Sequence, residues 1–196
     1  MASKHGDEDF IYAIANEQND GAGEETPNDI TNGYAHFRGE RVEFSERCVV
    51  EDWLYVTIPT DFALMTKEAA ELKYPDINRP HFIYTNEDGS TNITFTFTED
   101  KLADDKVEEA RDFLAKTISD LNPARKTTKS GVIEAGVKIG YFDFMSPALG
   151  CVIYNKMFVF PVDGQFVLGC FNCLEFDKAA WADVAEQMIA SVRVPE

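Results

Sequence analysis

Two short stretches, Val152-Ile153-Tyr154 and Met157-Phe158-Val159-Phe160, are apolar at every position, odd and even alike. Successive side chains of a strand point to opposite faces of its sheet, so a strand apolar at both parities must be covered on both sides. That pattern excludes a sheet with one wet face and requires layers packed above and below the strands. The chain supplies them. Val107, Ala110, Leu114, Thr117, Ile118 and Leu121 recur at helical spacing, between a capping-box-like start at Asp105 and Glu108 and a stop at Asn122-Pro123. A second helix is expected after Asp177, with Trp181, Val184, Ala185, Met188 and Ile189 along one face.

The strands read as antiparallel. Asp52 to Pro59 place Leu54, Val56 and Ile58 on one face and Trp53, Tyr55 and Thr57 on the other, after a brief alternation over Arg41-Val42-Glu43-Phe44. A hairpin is expected between His81-Phe82-Ile83-Tyr84 and Ile93-Thr94-Phe95-Thr96-Phe97-Thr98, because Asp88-Gly89 supplies the positive φ that a tight turn needs. Thr66 can cap a short helix through Ala69, Ala70 and Leu72, which Pro75 must end. A meander follows: Val137 to Met145, Cys151 to Pro161 and Gln165 to Phe171, the last two joined by Asp163-Gly164. The fold class is therefore α+β, a predominantly antiparallel β-sheet flanked by helices on both faces in an α/β/α sandwich. At 196 residues the chain suits one domain, read as residues 39–196. Residues 1–38 are acidic, rich in Asn and Gly and broken by Gly21-Ala22-Gly23 and Pro27, and read as a flexible N-terminal tail whose one apolar run is Phe10 to Ile14.

The order of these elements carries a resemblance. A strand with the pattern Trp53 to Pro59, a hairpin ending in Ile93-Thr94-Phe95, a long helix, a three-strand meander and a C-terminal helix closing on Ser191-Val192 resemble the PsbP-like superfamily over roughly residues 40 to 195. That group includes an extrinsic subunit of the photosynthetic oxygen-evolving complex, a nuclear-import factor that binds the GTPase Ran, and bacterial proteins of poorly defined role. The resemblance implies an antiparallel sheet sandwiched between helices and a non-enzymatic, partner-binding role. It lies in the order of elements, so no functional residue is carried over. The acidic tail and the lack of a targeting segment depart from the photosynthetic members.

Charge narrows the partners. Lys and Arg number 18 against 35 Asp and Glu, a formal net charge of -17. Such a surface repels phosphate backbones and anionic headgroups, so neither nucleic acid nor a membrane is expected as a partner, while a basic protein is favoured by steering. No stretch approaches the roughly 18 to 20 apolar residues that span a bilayer, and no leader is legible, so the expected location is cytoplasmic. That holds for the chain as given, since Met1-Ala2-Ser3-Lys4-His5 is also what a replaced signal or anchor would leave.

Motifs for chemistry are sparse. Cys170-Phe171-Asn172-Cys173 has the spacing of a metal or redox pair, but an odd separation within a strand points the two thiols to opposite faces. His5, His36 and His81 have no i, i+4 partner, and no glycine-rich run precedes a helix, so neither metal, cofactor nor nucleophilic triad is expected. Asn92-Ile93-Thr94 matches a glycosylation sequon within an apolar strand and reads as accidental. The basic cluster Arg125-Lys126-Thr127-Thr128-Lys129 reads as solvated cations beyond a helix C-terminus.

Polar residues inside apolar strands are the exception. Asp143 stands between Phe142 and Phe144, and Asn155-Lys156 between Tyr154 and Met157. Charges in doubly covered strands need partners. A loop centred near Ala148 sets Tyr141 opposite Asn155 and Gly140 opposite Lys156, which makes Tyr141, Asp143 and Asn155 the candidate binding residues on one face and turns Lys156 to the other. The rival explanation is a strand end where water satisfies these groups. The function expected is a non-enzymatic binding or regulatory module engaging a protein partner, as monomer or homodimer. The alternative is a small-ligand binding protein, or an enzyme with acid-base chemistry on Asp143 and Tyr141.

Overall fold

The computed structural model describes residues 28–125, 127–148 and 150–195. Two antiparallel sheets share one core. The smaller contains β1 (Tyr34–Phe37), β2 (Glu40–Val50) and β3 (Leu54–Pro59), in that order. Arg38 and Gly39, at φ 52° and 83°, make the two-residue turn that joins β1 to β2 with the twist a hairpin requires.

The larger sheet contains β4 (Ala63–Leu64), β5 (Phe82–Thr85), β6 (Asn92–Lys101), β7 (Thr127–Ala135), β8 (Val137–Ala148), β9 (Cys151–Val162) and β10 (Gln165–Leu174). Its spatial order is β4-β5-β6-β10-β9-β8-β7. The four C-terminal strands form a meander, and the β5-β6 hairpin is added to the last of them. Three helices complete the chain: α1 (Lys67–Lys73), α2 (Val107–Leu121) and α3 (Lys178–Ala190).

Both faces of the larger sheet are covered, as the doubly apolar strands require. On one face Phe95, Phe158, Phe160, Val167, Phe171 and Cys173 meet Leu54, Val56 and Ile58 of β3 and Val184, Ala185, Met188 and Ile189 of α3. All these side chains are buried, and each large one contributes about 1.5–3 kcal/mol by leaving water. On the other face Val107, Ala110 and Leu114 of α2 pack on Val159, Phe166 and Leu168. The architecture is thus α+β with helices on both faces of an antiparallel sheet, and on the α3 side the small sheet shares the layer.

Glycines admit the closest approaches. The Phe158 ring lies over Gly169 on the neighbouring strand, where a Cβ would stand 2.1 Å from the ring, and Gly140 lies under Val107 and Arg111 of α2.

The architecture departs from the sequence reading at the N-terminus, at the basic cluster and at the starts of α2 and α3. The tail was expected to run to residue 38, but residues 28–38 are built into the fold: Ile30 and Ala35 are buried, the Ile30 N–H donates to Gln187 Oε1 at 2.9 Å, and Gln187 Nε2 donates to the Asn28 carbonyl at 2.7 Å. Tyr34-Ala35-His36-Phe37 is too short to show a period, and its pairing to β2 depends on the Arg38-Gly39 turn. Residues 1–27, with the Phe10 to Ile14 run, lie outside the described residues. The basic cluster leads directly into β7, the far edge strand, with Lys129 paired opposite Asp143. Helix α2 begins after a short 3-10 turn, Asp104–Lys106, with no side-chain cap in place of the expected capping box. A similar turn, Glu175–Asp177, precedes α3, and the Asp177 carboxylate is taken by Arg38 at 2.5 Å rather than by the helix.

Candidate functional site

The polar residues of β8 and β9 meet in a register different from the expected one. The strands pair down to Ala148 opposite Cys151, so Asp143 stands opposite Lys156, Met145 opposite Tyr154 and Phe144 opposite Asn155. Relative to the sequence expectation the pairing is displaced by three residues. An odd displacement exchanges faces. Tyr141 and Asp143 do share a face, but their companion is Lys156, and Asn155 points to the other side.

Beneath α3 Tyr141, Asp143 and Lys156 join Tyr154, Glu186 and Lys129 in a charged cluster sealed at Asp143 and Lys156. Lys156 is 0% exposed and Asp143 3%. The Lys156 Nζ lies 3.0 Å from Asp143 Oδ1 and 3.3 Å from Oε2 of Glu186, which α3 lowers onto the sheet. The contact to Asp143 lacks the alignment of a hydrogen bond, so charge alone holds it. Tyr154 donates its hydroxyl to Asp143 Oδ2 at 2.7 Å, and Tyr141 donates to Glu186 Oε1 at 3.2 Å. Lys129 reaches across from the edge strand to Glu186 Oε2 at 2.6 Å, and the Tyr141 ring lies 4.4 Å from the Lys156 ammonium.

Two carboxylates, two ammonium groups and two hydroxyls are therefore gathered in one cluster, each paired by a hydrogen bond or by charge, with Asp143 Oδ1 held by charge alone. Burial, and then the hydrogen bond to Asp143, push the Tyr154 hydroxyl far above its ordinary range, so it stays a donor. Burial alone would raise Glu186, but the hydrogen bond from Lys129 and the charges of Lys156 and Lys129 outweigh it and hold the carboxyl below its ordinary value. Acid-base chemistry on Asp143 needs a carboxylate open to a substrate. Here it is enclosed, and it lines none of the clefts near Asp104, Leu64, Asp29 and Arg79. The cluster is a brace between sheet and helix.

On the opposite face Asn155 donates to Ser146 Oγ at 2.9 Å and to the Ile153 carbonyl at 3.1 Å. It stands in register with Asn172 of β10, which stands in register with Asn92 of β6. Asn92 Nδ2 donates to Asn172 Oδ1 at 2.9 Å, and Lys73 Nζ donates to Asn92 Oδ1 at 3.1 Å. The row was legible only as single polar residues on three distant strands. Asn92 is 0% exposed, so the sequon is sealed inside the sheet.

Cys170 and Cys173 lie on opposite faces of β10, as their odd spacing requires. Burial pushes both thiols up to about 12. Among the described residues no three His, Cys, Asp or Glu side chains are grouped so that they could hold a metal ion. Missed by the sequence reading were large apolar side chains left in solvent: Leu72 on α1 is 87% exposed, and Leu64 on β4 is 54% exposed. Among the described residues no helix is long and apolar enough to cross a membrane.

No protein-family model matches the chain, and no curated protein matches it. Solved structures do. The chain is similar to cyanobacterial PsbP (CyanoP) from Synechocystis sp. PCC 6803, with 9% identity and a TM-score of 0.53, over 82% of this chain and 97% of that one. It also matches LpqN of Mycobacterium tuberculosis, a protein involved in cell envelope biogenesis, with 14% identity and a TM-score of 0.48, over 87% and 100% of the two chains. A protein of Bacteroides thetaiotaomicron matches with 12% identity and a TM-score of 0.46, over 74% of this chain and 46% of that one. At these identities the likeness is one of fold, and the chain has the PsbP-like fold.

Proposed function

We propose that the chain is a non-enzymatic binding module that engages a protein partner through its acidic outer surface. The observation that supports this best is the burial of Asp143 and Lys156 against each other beneath α3, which puts the carboxylate expected to carry acid-base chemistry out of a substrate's reach. What remains for recognition is the exterior. The chain's net charge is -17, and among the described residues several large apolar side chains are exposed, among them Leu72, Ile77 and Phe113. A surface of that charge steers a basic partner toward it and repels nucleic acid and anionic lipid. The four cysteines are free thiols, Cys48 and Cys151 of them exposed, which favours a reducing compartment and supports action in the cytoplasm.

Affinity capture with the full chain as bait, at about 0.05 M and about 0.5 M salt, tests the reading. A stoichiometric protein partner released by salt is the expected result. Recovery of no protein under either condition would sink the proposal.

A further inference from the structure

One edge of the larger sheet ends in β4, which contributes only Ala63 and Leu64, both exposed. Helix α1 rises directly after it, started by Thr66, whose Oγ1 accepts the Ala69 N–H at 3.3 Å. Between α1 and the turn joining β5 to β6 runs a cleft of about 450 Å³. Leu64, Ala69 and Leu72 give it apolar walls, and Asp61, Glu87 and Asp88 are its anionic lining residues. The cleft's cation, Lys73, is turned to the Gly89 carbonyl and Asn92 Oδ1. Asp88 accepts the Ser90 N–H at 2.8 Å, so the exposed charges left on the rim are negative, beside two leucines that are 54% and 87% exposed.

We propose that this cleft docks a basic segment of the partner protein, with one or two large aliphatic side chains seated between Leu64 and Leu72 and flanking Lys or Arg facing Asp61, Glu87 and Asp88. The inference rests on the reading of the chain as a protein-binding module and adds the surface and the partner's chemistry. Charge complementarity selects this occupant. The chain's own apolar run, Phe10 to Ile14, follows Asp7-Glu8-Asp9, which the anionic rim repels. A second copy would bring the same rim against itself. Aliphatic anchors within flanking cations satisfy both the exposed leucines and the three carboxylates, which is how a buried anchor and a charged rim divide affinity and steering.

The test is selection from a random twelve-residue peptide library on the full chain, followed by titration of the enriched peptides against the chain and its variants. Enriched peptides are expected to carry Leu, Ile or Met flanked by Lys or Arg. Leu72→Glu and Leu64→Glu are each expected to weaken them about tenfold or more, with the thermal midpoint unchanged because both side chains are in solvent. Glu87→Lys is expected to weaken them as well and to steepen nothing else.

Acidic or uncharged winners, no winners, or affinity indifferent to Leu72→Glu would overturn the docking site. So would winners resembling the acidic Asp7 to Ile14 segment, which would assign the cleft to the chain's own N-terminus, or a wild-type dimer that Leu72→Glu dissolves, which would assign it to a second copy. The two proposals fail separately: a captured partner that Leu72→Glu still retains removes this cleft and leaves the binding module standing, whereas a bait that recovers nothing removes both.

Discussion

Lys156 has no route to water, so its charge is tolerated only because Asp143 and Glu186 share it. Lys156→Met leaves the Asp143 carboxylate buried with Tyr154 alone, and is expected to cost about 3–5 kcal/mol in urea unfolding. Combining it with Asp143→Asn removes the stranded charge while keeping an acceptor for the Tyr154 hydroxyl, and the double variant is expected to recover at least half of that loss. Glu186 behaves differently because it is half-exposed. Its folded pKa lies below the ordinary value of 4.5, so the stability it lends is present above that value and is lost as pH falls through the depressed one. Acid titration followed by Trp181 fluorescence should show α3 loosening below pH 4.5, with Glu186→Gln flattening the response. Among the thiols, exposed Cys48 and Cys151 should react with a disulfide reagent at once, while Cys170 and Cys173, at about 12, should wait for unfolding.

At the scale of elements, the turns carried most of what the sequence made legible. Asp163-Gly164, at φ 50° and 71°, joins β9 to β10 as the Asp-Gly pair indicates, and the apolar alternation of Leu54, Val56 and Ile58 places β3 correctly, with all three at 0% exposure. The β8-β9 register was not legible, because Pro147 lacks an N–H and argues against a strand continuing through it. In the structure Pro147 sits opposite Val152 near the strand end, and pairing goes on to Ala148. That extension displaced the register by an odd number and exchanged Asn155 for Lys156 in the expected site. Strand β7 escaped notice because an edge strand needs no apolar face: Thr127, Thr128, Lys129 and Ser130 are all exposed. The seam between β9 and β10 offers the sharpest check on packing. Gly169→Ala puts a methyl group into the Phe158 ring, and is expected to destabilise by about 1–3 kcal/mol or more, read as a lower thermal midpoint.

For the molecule as a whole, the order β4-β5-β6-β10-β9-β8-β7 and the position of α3 set how the protein can be made. The β5-β6 hairpin pairs with β10, and the small sheet packs on α3 and is pinned by a bridge between Tyr55 and Arg193, near the end of the chain. Every N-terminal element thus emerges from the ribosome before the surface it must cover has been synthesised. Folding in the order of synthesis is closed to this chain, and the inner edge of β6 waits as an open template until the last strand arrives. A version stopped after Leu174 keeps all ten strands yet lacks the helix that closes the core, and should be recovered as aggregate or lost to proteolysis. The same asymmetry exposes the protein in the cell: translation interrupted before α3 releases ten strands without the helix that closes their core, which makes residues 175–190 a point of quality control.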